Sequence, residues 1–150
     1  MQVVIQRVKD SRVSIGDKLI GKIGKGILVF LGIEKEDTQN DADYLVSKII
    51  NLRIFDDPYG KMNLSVKDIN GEILVISQFT LLGDCRKGRR PSFANAAAPE
   101  KAETLYKYFV SQIKNNNAIV STGKFQAKMD VYILNDGPVT FLLDSNNRGN

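Results

Sequence analysis

The side chains that could do chemistry fall in three short stretches of the sequence, "SQFTLLGDC" (77–85), "RKGRRPSF" (86–93) and "NDGPVT" (135–140). The chain contains no histidine, which excludes a Ser-His-Asp or Cys-His catalytic site. Its single cysteine, Cys85, is too few for a zinc site built from Cys and His. Any catalysis must therefore use carboxylates, lysines, hydroxyls, backbone amides, a hard metal ion or groups of the substrate itself.

The first stretch ends a strand-like run with four consecutive groups of different chemistry, Ser77, Gln78, Phe79 and Thr80. Alternate side chains of a strand point to opposite faces, so Ser77 and Phe79 are expected on one face and Gln78 and Thr80 on the other. These residues are candidates for a catalytic site. The structural alternative is a polar strand end whose hydrogen bonds are all satisfied within the protein.

The second stretch concentrates positive charge, with four basic residues in five positions around one glycine: Arg86, Lys87, Arg89 and Arg90. Such a cluster produces a local positive field suited to phosphates, and arginine adds bidentate donors to phosphate oxygens. The pattern favours RNA or another phosphorylated ligand, with a solvated surface loop as the alternative. An RNP1-type aromatic run, helical repeats and a zinc knuckle are all missing from the sequence.

The third stretch places Gly137-Pro138 between residues that otherwise suit a β-strand. Glycine can take a positive φ, and proline fixes its own φ and lacks an N–H. On these residues alone the pair predicts a turn between two strands.

Hydrophobic patterning predicts the elements that must position these stretches. One helix is expected after the capping-box pair Thr38 and Asp41, with an apolar stripe that ends at Leu52, and a second is expected from Pro99 to about Ile113. Hairpin loops are expected at Gly16-Asp17 and Asn70-Gly71. Strands are expected at 3–8, 12–15, 18–23, 26–33, 72–79, 119–125, 129–135 and 139–143, and the run 27–31 should be covered on both faces.

These elements predict an α+β fold, a curved, largely antiparallel, barrel-like β-sheet with two main helices packed on it. The chain has 150 residues, 43% of them hydrophobic and 25% charged, which favours a single domain over residues 1–145. The polar residues 146–150 are expected to be a disordered tail. The N-terminal "MQVVIQRVKD" has no apolar stretch long enough for a signal peptide or membrane span, so we expect a cytoplasmic protein with no membrane partner.

Together, "SQFTL" (77–81), "RKGRRPSF" and "NDGPVT", in this order and at these separations, resemble the D-aminoacyl-tRNA deacylase family, formerly called D-tyrosyl-tRNA deacylase. The opening "QRV" (6–8) and "RIFDDPYGKMNLSV" (53–66) resemble it too. The likeness therefore extends over nearly the whole chain.

This resemblance implies a homodimeric enzyme, without a metal or cofactor, that hydrolyses the ester between a D-amino acid and the 3′ end of tRNA. It also implies activity on glycyl-tRNA. In that family a cis Gly-Pro peptide enters the active site of the other subunit, where its backbone screens the chirality of the substrate. The role falls here on Gly137 and Pro138, and the site they enter is lined by residues 77–80. Arg7 resembles a family residue near this loop and is a candidate to brace it, with a surface arginine at a strand end as the alternative.

The resemblance also implies a mechanism that suits a protein without histidine. Backbone N–H groups near Phe79 and Thr80 would stabilise the oxyanion that forms when water attacks the ester, and the family's proposed mechanism relies on the 2′-hydroxyl of the terminal adenosine. Two alternatives remain. Thr80 could act as a nucleophile, which needs a neighbouring base, or the protein could be a non-catalytic RNA-binding module that uses "RKGRR" for phosphates, which would leave the Gly-Pro pair unexplained.

Overall fold

A computed structural model describes residues 1–148 of the chain. Its β-strands are β1 (Gln2–Ile15), β2 (Lys18–Ile23), β3 (Gly26–Gly32), β4 (Phe55–Asp56), β5 (Met62–Leu64), β6 (Glu72–Ser77), β7 (Ile119–Thr122) and β8 (Asp130–Asp144). Two α-helices, α1 (Gln39–Asn51) and α2 (Pro99–Asn115), and one 3₁₀ helix (Phe79–Leu82) complete it. Both predicted helices are present. The backbone N–H of Thr38 donates to the Asp41 carboxylate at 2.8 Å, as expected of a capping box.

Six strands form one mixed sheet in the order β2-β1-β3-β6-β7, with β8 on the other edge of β1. Strand β1 pairs antiparallel with β2, β3 and β8, whereas β3-β6 and β6-β7 are parallel. The sheet curves until β7 lies beside β2, where Ser121 Oγ donates to the Lys22 carbonyl at 3.0 Å. A Cβ on Gly21 would stand 2.5 Å from the Thr122 carbonyl oxygen, so glycine allows this close approach. The predicted α+β, barrel-like fold with two helices is confirmed.

The central strands β3 and β6 are buried on both faces, as the unbroken apolar run in residues 27–31 predicted. Ile27 and Val29 belong to the core under the two helices, together with residues such as Leu45 and Phe109. Leu28 faces the other way, into a second core on the opposite face of the sheet. The parallel β3-β6 pair is therefore a rigid base for whatever follows the end of β6.

Four local expectations differ from the structure. Residues 2–15 form one bent strand where two were expected, and β8 runs through Gly137-Pro138 without ending there. Asn70-Gly71 does not make a hairpin, since β5 pairs with β4 and β6 pairs with β3 and β7; instead the Gly71 N–H closes a turn on the Val66 carbonyl at 2.8 Å. Strand β6 ends at Ser77, and a 3₁₀ helix begins two residues later.

The end of the described chain packs against α1. Arg148 Nη2 lies 2.7 Å from the Asp41 carboxylate, and the Arg148 guanidinium stands 5.0 Å from the centre of the Tyr44 ring. Residues 149–150 of the predicted tail lie outside the described residues. No helix within residues 1–148 is both long enough and apolar enough to cross a membrane.

Candidate active site

A cleft of about 710 Å³ opens where β6 ends. Three of the predicted site residues, Ser77, Gln78 and Phe79, contribute to its wall. The rest of the wall comes from other parts of the chain: Leu31, Ile33, Ile76, Ala96, Ala97, Pro99, Ala102, Phe125, Gln126, Ala127, Met129 and Val131. The cleft therefore joins a largely apolar chamber to a short polar edge, which is the usual composition of a small-molecule site.

The polar edge is made by the change from strand to 3₁₀ helix. The Gln78 N–H continues the ladder by donating to the Leu31 carbonyl at 2.8 Å, and the chain then turns. Gln78 Nε2 donates to Thr80 Oγ1. These two side chains thus lie on one side, as expected, although the 3₁₀ turn and not strand alternation brings them together. Thr80 itself does not belong to the described wall of the cleft.

Two backbone donors at this turn are free. Within residues 1–148, the N–H groups of Phe79 and Thr80 have no acceptor in the protein, because they open a helix whose first N–H groups have no intrahelical partner. A ligand oxygen could accept both bonds.

Phe79, which lines the cleft, forms an aromatic pair with Phe93. The rings of Phe79 and Phe93 meet edge to face, with centroids 4.9 Å apart and planes at 60°. Phe79 is 56% exposed, so its ring is accessible to a ligand in the cleft. This contact ties the end of the basic stretch to the 3₁₀ helix.

The basic stretch is an exposed loop closed at its base by two backbone hydrogen bonds between Asp84 and Ser92, of 2.8 and 2.9 Å. Arg86 Nη2 lies 2.7 Å from the Asp84 carboxylate, and the bond from Arg86 holds the pKa of Asp84 at about 2. Lys87, Arg89 and Arg90 make no ion pair within the part of the chain that the structure describes. These three cations therefore remain available to an outside anion, and none of them belongs to the described wall of the cleft.

Gly137 and Pro138 lie in a bulge of β8, and the peptide bond between them is cis. Arg7 is only 6% exposed and lies directly behind this bulge. Its Nε donates to the Asp136 carbonyl at 3.0 Å, and its Nη1 donates to the Ile54 carbonyl at 2.8 Å. Arg7 thus connects the bulge to the segment that follows α1.

Within one chain the bulge is far from the cleft. In the register of the sheet, Arg7 on β1 is paired with Ile27 on β3, and Ile27 is paired with Ile73 on β6. Ser77 on β6 is paired with Leu31 on β3, four positions further along the strands. This offset corresponds to about 13 Å along the strand direction, in addition to three strand spacings between β8 and β6. Of the described residues that line the cleft, none comes from the bulge.

A family model described as "D-Tyr-tRNA(Tyr) deacylase" matches residues 4–144 of the sequence. The chain belongs to this deacylase family. Among curated proteins, this deacylase is 61% identical to the D-aminoacyl-tRNA deacylase of Thermosipho melanesiensis, over 97% of both chains. It is 57% identical to the protein of the same name from Clostridioides difficile, again over 97% of both chains.

Solved structures agree on the fold of the deacylase. One, named "c-Myc DNA Unwinding Element Binding Protein", superposes with a TM-score of 0.91 at 45% identity and covers 96% of this chain and 98% of its own. A second, a probable eukaryotic D-amino acid tRNA deacylase, superposes with a TM-score of 0.81 at 18% identity over 95% of this chain and 97% of its own. This second likeness shows the shared architecture.

Sequence reasoning missed most of the apolar wall of the deacylase cleft. Phe125, Met129 and Val131 read as ordinary strand residues, since nothing local distinguishes a side chain that faces a cleft from one that faces a core. The alanines at 96 and 97 were a usable signal, because a run of small side chains beside a bulky sheet leaves unfilled volume.

Proposed function

We propose that this D-aminoacyl-tRNA deacylase hydrolyses its substrate in the cleft at the end of β6, with Gly137-Pro138 supplied by a second copy of the chain. The reaction cleaves the ester between a D-amino acid and the 3′ end of tRNA and releases both. The observation that carries the assignment to this cleft is the pair of N–H groups at Phe79 and Thr80. They have no acceptor within residues 1–148, and they follow the end of β6, where the apolar chamber begins.

The chemistry requires little from side chains because an aminoacyl ester is already activated. When water attacks the carbonyl carbon, negative charge develops on the carbonyl oxygen, and the Phe79 and Thr80 N–H groups would donate to it. Collapse of the intermediate breaks the bond to the ribose 3′-oxygen, which takes up the proton that the attacking water has lost. The neighbouring 2′-hydroxyl of the terminal adenosine would orient the water, so no histidine is needed.

The surroundings of Thr80 argue against the nucleophile alternative. A hydroxyl becomes nucleophilic when a base removes its proton. The polar group bonded to Thr80 Oγ1 is the Gln78 amide nitrogen, which donates a hydrogen bond and cannot accept a proton. We therefore assign Gln78 and Thr80 to shaping the turn that presents the backbone donors.

A second subunit is needed because the bulge cannot reach the cleft of its own chain. Four large apolar side chains of β8 are exposed on both sides of the bulge: Tyr132, Leu134, Phe141 and Leu142. Among the described strands, β8 pairs with β1 alone, so its outer edge is open. An apolar open edge of this kind is a typical contact surface for another chain. We infer that β8 contributes to a homodimer interface that places each bulge in the partner's cleft.

Selection by this arrangement works through exclusion. A rigid backbone close to the Cα of the bound amino acid leaves no room for an L side chain, while a D side chain points away from it. Glycine has no side chain to clash, so glycyl-tRNA would be accepted as well.

The basic residues have two roles in this proposal. Arg7 would hold the bulge in place. Phosphates of the tRNA would be held by Lys87, Arg89 and Arg90, with Arg86 partly neutralised by Asp84. Since tRNA is aminoacylated in the cytoplasm, we place the enzyme there.

The decisive experiment incubates the protein with the same tRNA carrying D-tyrosine, L-tyrosine or glycine. We expect release of D-tyrosine and glycine while the L-ester is spared, and sedimentation should give twice the mass of one chain. Tight binding of all three RNAs without turnover would instead support the non-catalytic RNA-binding module, for which the exposed cations of the loop are the relevant observation.

A further inference from the structure

The bulge of β8 is unusually large for a strand irregularity. Gln6 is paired with Thr140 and Val8 with Asn135, so the single residue Arg7 on β1 faces the four residues 136–139 on β8. A common β-bulge adds one residue, whereas this one extrudes a short loop from the sheet. The loop needs its own support, because the backbone ladder is interrupted there.

The base of this loop is closed by a side chain. Asn135 Oδ1 accepts the Val139 N–H at 2.9 Å and so connects the residue before the loop to its last residue. Asn135 Nδ2 donates to Thr140 Oγ1 at 3.3 Å, and Gln6 Nε2 donates to the same hydroxyl at 3.2 Å. The amide of Asn135 therefore bonds to both Val139 and Thr140, at the point where the strand resumes.

The two residues at the tip, Gly137 and Pro138, lie outside the pairing register of β8 with β1. Pro138 has no N–H to donate, and both Gly137 and Pro138 are exposed in the single chain. On one side the loop is held at the Asp136 carbonyl by Arg7, and on the other side it is held at the Val139 N–H by Asn135. Two further contacts hold the same ends: the Asp136 carboxylate lies 3.4 Å from Arg7 Nε, and the Val139 side chain is buried in the core. The Asn135 bond adds to them by fixing the backbone of Val139, the residue that follows the tip.

From this geometry we propose that Asn135 is a positioning residue that sets the stereochemical selectivity of the deacylase by fixing the Gly137-Pro138 tip. The inference rests on the proposed function, in which this tip excludes the L side chain. A filter that works by exclusion depends on the exact place of its wall, since a loop displaced by about 1 Å can admit a group that was rejected before. Loss of the Asn135 hydrogen bond should therefore admit L-esters more than it slows D-esters.

The test compares Asn135→Ala with the matched control Asn135→Asp. The aspartate carboxylate can accept the Val139 N–H with one oxygen and a bond from the Thr140 hydroxyl with the other. Alanine has no side-chain group that can accept either bond. We expect Asn135→Ala to lower the ratio of kcat/KM for D-tyrosyl-tRNA over L-tyrosyl-tRNA by at least about tenfold, mainly through a faster L reaction. Asn135→Asp should stay within about threefold of the wild-type ratio.

A second variant covers the case in which Asn135→Ala does not fold. Thr140→Val removes the hydroxyl that receives the Asn135 amide but leaves the Val139 bond, so it should relax the ratio by a smaller factor of about two to five. If Asn135→Ala and Thr140→Val, or whichever of the two folds, keep the wild-type ratio of kcat/KM, the proposal is overturned.

Hydrogen exchange of the Val139 amide separates this proposal from the proposed function. The amide should be protected in the wild type and in Asn135→Asp and should exchange at least about tenfold faster in Asn135→Ala. Absence of any deacylation by the wild type would refute the proposed function, whereas the exchange result would still decide whether Asn135 holds the loop. Equal exchange of the Val139 amide in all three proteins would refute the positioning role.

Discussion

The guanidinium of Arg7 lies close to Gly137, 3.3 Å from the point at which a side chain on that residue would begin. A Cβ placed on Gly137 would lie 3.3 Å from Arg7 Nη2 and 2.6 Å from Val139 Cγ2, and the φ of Gly137 is +134°. Glycine is thus required here for both contact and backbone conformation. This requirement supports the view that the tip of the loop is held in one fixed position.

Replacing Gly137 by alanine should disturb the loop more than an ordinary glycine substitution does. The new methyl group must displace Val139 or Arg7, and the backbone must leave its positive φ, so we expect the free energy of unfolding to fall by about 1–3 kcal/mol. Selectivity for D- over L-tyrosyl-tRNA should fall with it. Gly60→Ala is the matched control, because Gly60 also has a positive φ of +74° but no atom within 4 Å of the added Cβ. Equal behaviour of the two variants in both assays would contradict the tight packing described for Gly137.

The exposed cations of the basic loop should contact tRNA phosphates. Replacing Arg89 and Arg90 by alanine removes two potential contacts, so the slope of log K against log salt should become less steep by about 1.4 to 1.8. The measurement is tRNA binding at several salt concentrations. Lys107→Ala serves as the control, because Lys107 lies on α2 and pairs with Glu103 at 2.8 Å. A slope that matches the wild type in the double variant would remove these arginines from the tRNA site.

Thr80 tests whether the chemistry rests on the backbone. If the oxyanion is stabilised by N–H groups, Thr80→Ala should keep kcat for D-tyrosyl-tRNA within about tenfold of the wild type, whereas loss of a true nucleophile costs roughly 10⁴ to 10⁶. Thr104→Ala is a control for removal of a hydroxyl elsewhere, since Thr104 donates to the Glu100 carbonyl on α2. Near-complete inactivation of a folded Thr80→Ala protein would restore the nucleophile alternative.

Tyr106 should make the stability of the protein sensitive to alkaline pH. Burial raises its pKa to about 12, and its hydroxyl donates to the Val75 carbonyl at 2.8 Å. An unfolded tyrosine titrates near 10, so the contribution to stability is complete below pH 10 and is lost as the pH rises towards 12, by up to about 2–3 kcal/mol.

The comparison with Tyr106→Phe isolates this effect from other groups that titrate at high pH. The variant should be less stable by about 0.5–1.5 kcal/mol at neutral pH, because it loses one hydrogen bond. The loss is small because the Val75 carbonyl still accepts the Gly123 N–H. Chemical denaturation at pH 8 and at pH 11.5 measures both quantities. If the two proteins lost the same free energy of unfolding between these pH values, the raised pKa of Tyr106 would be disproved.

The elements with strong local patterns were predictable from the sequence. The capping pair Thr38 and Asp41, the first-turn Pro99 and their apolar stripes specify the two helices, because helix signals act over one or two turns of the chain. The unbroken apolar run at residues 27–31 likewise specified a strand buried on both faces. Pairing was less predictable, and the Asn70-Gly71 hairpin was wrong because a turn residue does not determine which strand its neighbours will join.

The family and its short motifs could be recognised from the sequence, since "SQFTL", "RKGRRPSF" and "NDGPVT" are contiguous. The arrangement of these motifs in space could not, because it depends on the tertiary structure. That structure ended β6 at Ser77 and freed two backbone donors there, and it set the Gly137-Pro138 bulge at the far side of the same sheet. Those relations depend on strand register and on the packing of residues far apart in the sequence, such as Arg7 against Gly137, which are 130 positions apart. Local propensity carries no information about contacts of that separation, because their free energy arises only once the whole sheet has formed.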